Sequence, residues 1–500
     1  MTRRRTLSEL ASEIGLTLAP EAAGVAVTDV VDDSRRVVPG ALFVAVRGAR
    51  HDGLAFLDEA VASGAAAAVC AASAAAALPA YPIPILPVPE PRVALARLAA
   101  AFHGHPTRAL RTLGVTGTDG KTTTCHLAAH LLGCERCAVV GTVENDRRGL
   151  SPLTTPPAPT IQRVAAAALA DGKEWLILEA SSAGLAQRRL DAVAFDAAVF
   201  TNLGVDHHPL HGGRRGLLEA KLTLFRGLPP EAVAFLNGDD PTANEVAAVC
   251  RCPVVRYGLG VGNDVRAGAV RLALDASRWT LCLGGERLPV TLPMPGEHNV
   301  RNALAAAALA GHAGLDPQEI ARRLGTAPSI AGRAEAYETP AGARVIVDFA
   351  HTPEALSEML RTLRPHARRL IVVFGCTGDG DREKRMRMAE VAGRWANRAI
   401  LTSDNPKDED PREIIASMAP RVAAGEGKTL VTTVVDRREA IRAAVAAAGS
   451  GDIVLVAGKG HERVQIVGGH REPHSDAAVL VSEGWARRVP CGRQRPPSAC

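Results

Sequence analysis

Residues 115–124 read VTGTDGKTTT. A β-prone run, TLGV (112–115), leads into a turn with glycines at 117 and 120, and CHLAAHLL (125–132) follows with helical character. A strand, a glycine turn and a helix headed by Lys-Thr form a phosphate cradle, because backbone N–H groups and the positive end of the helix face the anion. Lys121 is placed to reach terminal phosphates, and the Thr122 hydroxyl to bind Mg²⁺. Glycine is needed where backbone must approach a phosphate without a Cβ in the way. The common form of this loop has glycine six residues before the lysine; Val115 stands there, so this is the shorter GTDGKT version. The expected nucleotide-binding set is therefore Gly117, Thr118, Asp119, Gly120, Lys121, Thr122 and Thr123.

Outward from this loop the chain alternates strands and helices. The runs TLGVTG, EWLILEA, AAVFTNL and AVAFLN occupy the middle, and RVIVDFA, RLIVVFG, RAILTSD and DIVLVAG the final third. Continuous apolar strands separated by helices imply parallel sheets covered on both faces. The expected class is α/β with three domains. A small N-terminal α/β domain covers 1–106, a central P-loop ATPase-like parallel-sheet domain 107–331, and a C-terminal doubly wound, Rossmann-like domain 332–500. Asp348, Gly375, Asp404 and Gly458 follow apolar runs, where ligands of such sheets bind.

Composition bounds the function. The 500 residues are 47% hydrophobic and 22% charged with net charge +5, ordinary values for a folded soluble protein. Aromatics are 3% and no basic stripe interleaves with them, so nucleic acid is not expected as a partner. No apolar stretch reads as a membrane span and MTRRRTLSELASEIG does not read as a signal peptide. The ten cysteines are scattered and read as free thiols. The expectation is a cytoplasmic monomer acting on small molecules, with no membrane partner.

A second anchor lies downstream. WLILEASS is an apolar run ending in Glu179, and AAVFTNLGVDHH ends near His207. A carboxylate and a histidine at neighbouring strand ends suit a metal beside phosphates, although His207 alone reads as structural or as a proton shuttle.

Taken together, these residues resemble the Mur ligase family. The resemblance rests on DSRRVVPGALFVAVRG with HDG, GVTGTDGKTTT, LTTP, EASSAGLAQRR, FTNLGVDHH with LLEAKLTLF, and GEHNVRNALAA. It continues through GRAE, VDFAHTPEAL, VFGCTGDGDREKR, SDNPKDEDP and VLVAGKGHE, in order over most of the chain. Within the family the likeness is to the branch adding a third amino acid to UDP-N-acetylmuramoyl-L-alanyl-D-glutamate in peptidoglycan synthesis, work that serves cell-wall biogenesis, cell shape and cell division. It implies an ATP- and Mg²⁺-dependent ligase that makes an acyl phosphate and couples it to an amine.

The resemblance implies roles residue by residue. Lys121, Lys221, His207 and Arg333 would be catalytic. Thr122, Glu179, His207 and a carbamylated Lys221 would hold metal; read alone, Lys221 is a solvated helix lysine. Asn299 and Asn302 would lie near adenine, Asp348 at the ribose and His351 beside it, closing ATP between two domains. Ser34, Ala49, Arg50 and His51 would meet the uridine diphosphate. Thr154, Thr155, Ser181, Gln187 and Arg189 would meet the muramoyl-peptide end. Asp404, Asn405, Pro406, Lys407, Gly458 and Glu462 would receive the incoming amino acid.

Some positions depart from the family. Asp119 stands for asparagine or serine, Ala183 for histidine, and VDHHPLHGG for RDHLDYH. In the amino-acid pocket Lys407 replaces the arginine that clamps diaminopimelate, and Gly380 replaces a second arginine, with Arg382 two residues on. A lysine is a point charge rather than a planar fork. A diamino acid such as diaminopimelate is the expected donor; the alternative is a paralogue joining an amino acid to a different carboxylate in specialised metabolism.

Overall fold

The computed structural model describes residues 4–48, 51–204 and 211–489. The chain packs as two compact units: Met1–Gly114, Glu135–Ala198 and Gly227–Ala232 form the first, and Val115–Cys134, Val199–Arg226 and Val233–Cys500 the second.

In the first unit, Asp29–Val31, Ala41–Val44, Ala67–Ala71 and Ile85–Val88 form a four-stranded parallel sheet in chain order. Side chains alternate faces along each strand. Leu42, Val44, Val69 and Leu86 pack with Leu95, Leu98 and Phe102 of the helix Pro91–His103, while Phe43, Ala45 and Ala68 pack with Leu57 and Ala60 on the other face. Both faces are covered, which is why ALFV and AAVC read as unbroken apolar runs. Trp175–Glu179 pairs in parallel with Cys137–Val140, a strand the sequence reading had not marked.

In the second unit, Val233–Asn237 and Val254–Gly258 run parallel. Val265–Leu272, Ser277–Leu283 and Glu286–Leu292 extend them, the last two pairings antiparallel. These later strands alternate polar and apolar residues and lie beyond the apolar runs that marked the parallel strands. The helix Glu297–His312 buries an almost unbroken row of alanine and leucine against this layer.

The C-terminal sheet has the order Leu430–Thr433, Arg398–Leu401, Leu370–Phe374, Ile453–Ala457, Arg344–Asp348, Glu335–Glu338, Arg487–Arg488. The first five are parallel, and Glu335–Glu338 runs antiparallel to both of its neighbours. Two apolar clusters cover its faces, one around Leu360, Phe374, Met388 and Leu455, the other around Val345, Val373, Ile441 and Val456. This doubly wound arrangement gathers Asp348, Gly375, Thr402 and Gly458 at the carboxyl ends of parallel strands. Among the described residues no helix is long and apolar enough to cross a membrane. Among the described residues seven cysteines are free thiols.

One buried ion pair ties two helices to the carboxyl end of this sheet's central strand. Arg437 and Asp476, both fully buried, share two 2.8 Å hydrogen bonds, and Arg437 also donates to the Ala457 carbonyl at 2.8 Å. Burial pushes the Asp476 carboxyl up, but the Arg437 guanidinium and His474 hold it well below the usual range. Replacing Asp476 with alanine strands a buried guanidinium and should cost about 3–5 kcal/mol in urea-induced unfolding.

Candidate active site

The phosphate loop is built as its sequence demands. Arg111–Thr116 ends at the turn, and the helix Lys121–Leu132 starts directly after Gly120, whose φ is 86°. A Cβ at Gly120 would stand 2.4 Å from Asn302 Oδ1, and one at Gly117 would stand 1.8 Å from Thr201 Oγ1. A Cβ at either position would force these side chains aside, and both glycines have positive φ, so any larger residue is strained there. Thr201 and Asn202 brace the turn: the Asp119 carbonyl accepts from Thr201 Oγ1 at 2.6 Å, and Asn202 Oδ1 accepts from the Asp119 N–H at 2.9 Å. The Thr118 N–H donates to the Asn202 carbonyl at 3.0 Å, and Thr118 Oγ1 accepts from the Gly204 N–H at 3.0 Å. The Lys121 ammonium donates to the carbonyls of Gly117 and Thr118 at 3.0 and 2.7 Å, which holds its charge at the mouth of the turn. Thr122 and Thr123 are buried in the first helical turn.

The segment after residue 330 of this same unit comes onto the loop. Arg333 donates to Thr122 Oγ1 at 3.1 Å, and the Thr352 hydroxyl donates to Asp119 Oδ2 at 3.0 Å. Arg333 lies over the Phe349 ring at 4.4 Å, and the His351 and His461 rings flank that ring at 4.4 and 5.0 Å. Asp348 accepts from the N–H groups of Ala334 and Ala350 at 2.7 and 2.8 Å; burial raises its carboxyl, opposed by Arg333 and those two bonds. Burial, with Arg333 adding to it, drives the His461 imidazole down to about 3, so it is neutral across the physiological range. Its Nδ1 has no hydrogen-bond partner among the described residues. His351 Nδ1 lies 2.9 Å from the Phe349 carbonyl. Asn299 donates to the Pro295 carbonyl at 2.7 Å, and Asn302 Nδ2 sits 3.4 Å from Asn299 Oδ1.

Lys221 lies on the helix Arg214–Arg226 and is 2% exposed. The reading of an isolated helix lysine as solvated is therefore overturned. Ala49, Arg50 and His207 lie outside the described residues.

The first unit holds the remaining acceptor residues. Glu179 is buried; its Oε1 accepts from the Thr142 N–H at 2.8 Å, and its Oε2 lies 3.2 Å from the Thr142 hydroxyl. That hydroxyl is also 3.0 Å from Thr154 Oγ1. Thr155 Oγ1 donates to the Glu179 carbonyl at 2.6 Å, lies 2.8 Å from Ser181 Oγ and accepts the Ser181 N–H at 2.9 Å. Arg189 donates to the Thr155 carbonyl and to Gln187 Oε1, both at 2.6 Å. Thr154, Thr155, Ser181, Gln187 and Arg189 thus form one hydrogen-bonded patch with Glu179. Ser34 is buried and donates to Glu59 at 2.9 Å, whereas His51 is exposed.

Adjoining His461 in the second unit, Asp404, Asn405 and Glu462 surround Lys459, a lysine not among the expected site residues. Pro406 precedes Lys407, which is half-buried, has φ 53° and carries an ammonium without an ion pair among the described residues. Its N–H donates to the Ile466 carbonyl at 3.0 Å and its carbonyl accepts from Gly468 at 2.7 Å. Gly380 and Arg382 are exposed. The buried arginine is Arg385, which donates to both Glu409 carboxylate oxygens at 2.7 and 2.9 Å. Glu409 also accepts from Asp379 N–H, and the Arg385 pairing holds its carboxyl down to about 2. The missed residues Phe349, Thr352, Lys459, His461, Arg385 and Glu409 all lie inside or beside motifs already singled out; what the sequence lacked was their burial.

Comparison with known proteins meets this geometry. Residues 27–103 match the Mur ligase family, catalytic domain; 115–310 the Mur ligase middle domain; and 332–460 the Mur ligase, glutamate ligase domain. A relative from Streptomyces coelicolor is 40% identical over 486 residues, covering 95% of this chain and 95% of its own length. The chain belongs to the Mur ligase family. That relative is named UDP-N-acetylmuramoyl-L-alanyl-D-glutamate–2,6-diaminopimelate ligase, as is one from Syntrophomonas wolfei, 37% identical over 470 residues and covering 92% of this Mur ligase and 95% of itself. A solved structure of an enzyme with that name is 31% identical with a TM-score of 0.64, covering 95% of this chain and 98% of its own. The ADP complex of MurF ligase from Thermotoga maritima is 20% identical with a TM-score of 0.63, covering 87% and 94%, a likeness of fold.

Because Gly120 has no room for a Cβ, Gly120→Ala should raise the ADP dissociation constant at least ~10-fold by calorimetry, combining left-handed strain of about 1–2 kcal/mol with displacement of Asn302.

Proposed function

We propose that this Mur ligase is an ATP-dependent acid–amino-acid ligase. It adds a diamino acid such as diaminopimelate to UDP-N-acetylmuramoyl-L-alanyl-D-glutamate, in the cytoplasm and as a monomer, supplying peptidoglycan precursor. The division into domains at 1–106, 107–331 and 332–500 belongs to the same reading. The observation that carries it is the contact of Arg333 with Thr122 beside the loop-held Lys121: two cations and a helix N-terminus converge where a triphosphate tail would lie.

A carboxylate is a poor electrophile, and phosphorylation gives it a leaving group. A substrate carboxylate oxygen attacks the γ-phosphorus and ADP departs. The amine then attacks the acyl carbon, loses a proton and expels phosphate, leaving an amide. Lys121 and Arg333 offset the charge that accumulates when two anions meet. Burial around Asp348 and His461 supports a site that keeps water from the acyl phosphate.

Magnesium is part of this reading and, when bound, neutralises phosphate oxygens. Among the described residues no group of three or more His, Cys, Asp or Glu is gathered for a metal. A magnesium ion takes oxygen ligands and keeps several from phosphate and water, so hydroxyl and carboxylate donors suit it. The Thr122 hydroxyl is the donor beside Lys121, and Glu179 is the buried carboxylate of the first unit. Lys221, buried on its helix, is the lysine this reading assigns to carbamylation, which would turn the side chain into an anion.

Asp404, Asn405 and Glu462 would take the amino acid's ammonium, and Lys407 its distal carboxylate. The lysine at 407, the glycine at 380 and the alanine at 183 favour, as a second reading, a paralogue acting on a different carboxylate. The deciding experiment is amide formation from the uridine-linked muramoyl dipeptide, ATP and a panel of amino acids. One ADP per amide is expected, with diaminopimelate preferred. Lys407→Met should raise its KM about 10-fold while leaving slower substrates without a distal carboxylate unchanged. ADP release with another acid, and no amide from the dipeptide, would transfer the function to the second reading.

A further inference from the structure

Lys459 is the most buried cation near the predicted amino-acid site, and the reaction scheme gives it no task. Its side chain is fully buried, Asp404 is 5% exposed and Glu462 is 31% exposed. Its ammonium donates to Glu462 Oε2 at 2.7 Å, Asn405 Oδ1 at 3.0 Å and Asp404 Oδ1 at 3.4 Å, which uses all three N–H bonds.

The acceptors are bound to one another as well. Asn405 Nδ2 donates to Glu462 Oε2 at 3.0 Å, and Asn405 Oδ1 also accepts from the Ile466 N–H at 3.0 Å. The Asn405 amide is therefore fixed with its oxygen toward Lys459 and its nitrogen toward Glu462. Glu462 spends only Oε2 on this network. Oε1 has no hydrogen-bond partner among the described residues, and it belongs to the one partly exposed side chain of the cluster. Two carboxylates and one ammonium leave the cluster with one net negative charge, because the neighbouring Arg437 is matched by Asp476.

We propose that Lys459 is a positioning residue for the incoming amino acid: it locks Asn405 and Glu462 so that one carboxylate oxygen stays bare and oriented for an ammonium group. This rests on the proposed function, since it assumes that an amino acid binds here. The physical need is specific. Asp404 and Glu462 would repel each other without a cation between them, and Glu462 would turn toward solvent. A lysine supplies a compact charge with three donors at diverging angles, which matches three acceptors coming from separate directions. A carboxylate held in place beforehand loses little freedom when an ammonium binds, so the benefit appears in amino-acid affinity rather than in the chemical step.

The test is steady-state amide formation by the full chain with the muramoyl dipeptide, ATP and diaminopimelate, comparing wild type, Lys459→Met, Asp404→Asn and the double variant Lys459→Met/Asp404→Asn. The double variant removes one carboxylate with the ammonium, so it buries no excess charge and stays folded even if the single variant fails to fold. Lys459→Met should raise the KM for diaminopimelate about 30-fold or more while kcat, the KM for ATP and ADP affinity stay within about threefold. The double variant should keep a KM at least ~10-fold above that of Asp404→Asn alone, because Asn405 and Glu462 remain unlocked. A diaminopimelate KM for Lys459→Met within threefold of wild type, or for the double variant within threefold of Asp404→Asn, or losses falling equally on ATP, would overturn the assignment. Wild type that forms no amide with any amino acid would sink the proposed function itself, an outcome separate from a wild type that works and variants that do not change.

Discussion

The close approach of Gly120 to Asn302 is the constraint on which much of the second unit depends. It lets the helix Lys121–Leu132 begin with its N–H groups turned outward and the helix Glu297–His312 lie against the loop. A side chain at either turn glycine would push these apart. Thr201 and Asn202 then fix the turn's carbonyls, and Lys121 folds back onto two of them. The loop is thus shaped by the protein before any phosphate arrives, and preorganisation of this kind limits what must be reorganised during reaction.

Around that loop, Phe349 acts as a hub. Arg333 covers one part of its ring, and His351 and His461 pack against it. Three chain segments far apart in sequence, GR at 332–333, DFAH at 348–351 and GH at 460–461, are brought to one ring. The guanidinium that contacts Thr122 is therefore supported by aromatic packing against Phe349.

The sequence carried the parallel core well. ALFV, WLILE, LIVVF and IVLVA are apolar without interruption because both faces of their sheets are covered, and each became a strand. It missed Val265–Leu272 through Glu286–Leu292, whose alternating residues lie on a partly exposed antiparallel extension. The phosphate loop was legible because its glycines and Lys-Thr pair answer to local geometry. Lys221 was not legible as buried, since burial of a helix lysine depends on neighbours from elsewhere in the fold. Lys459 was hidden for the same reason: between two glycines it looks like a turn residue, and only the strand ends at 404–405 reveal its acceptors. Arg382 drew attention by its position near Gly380, yet it is exposed, while Arg385, one helical turn on, is buried against Glu409.

The backbone of Lys407 is tied to the hairpin Val464–Val467/His470–Pro473 through Ile466 and Gly468, and it holds a left-handed conformation that non-glycine residues seldom adopt. The two segments therefore form a single inheritable module. Transplanting the 404–409 loop alone into a relative would import the side chain without the scaffold that aims it, so any exchange of amine preference between such enzymes must carry both stretches together.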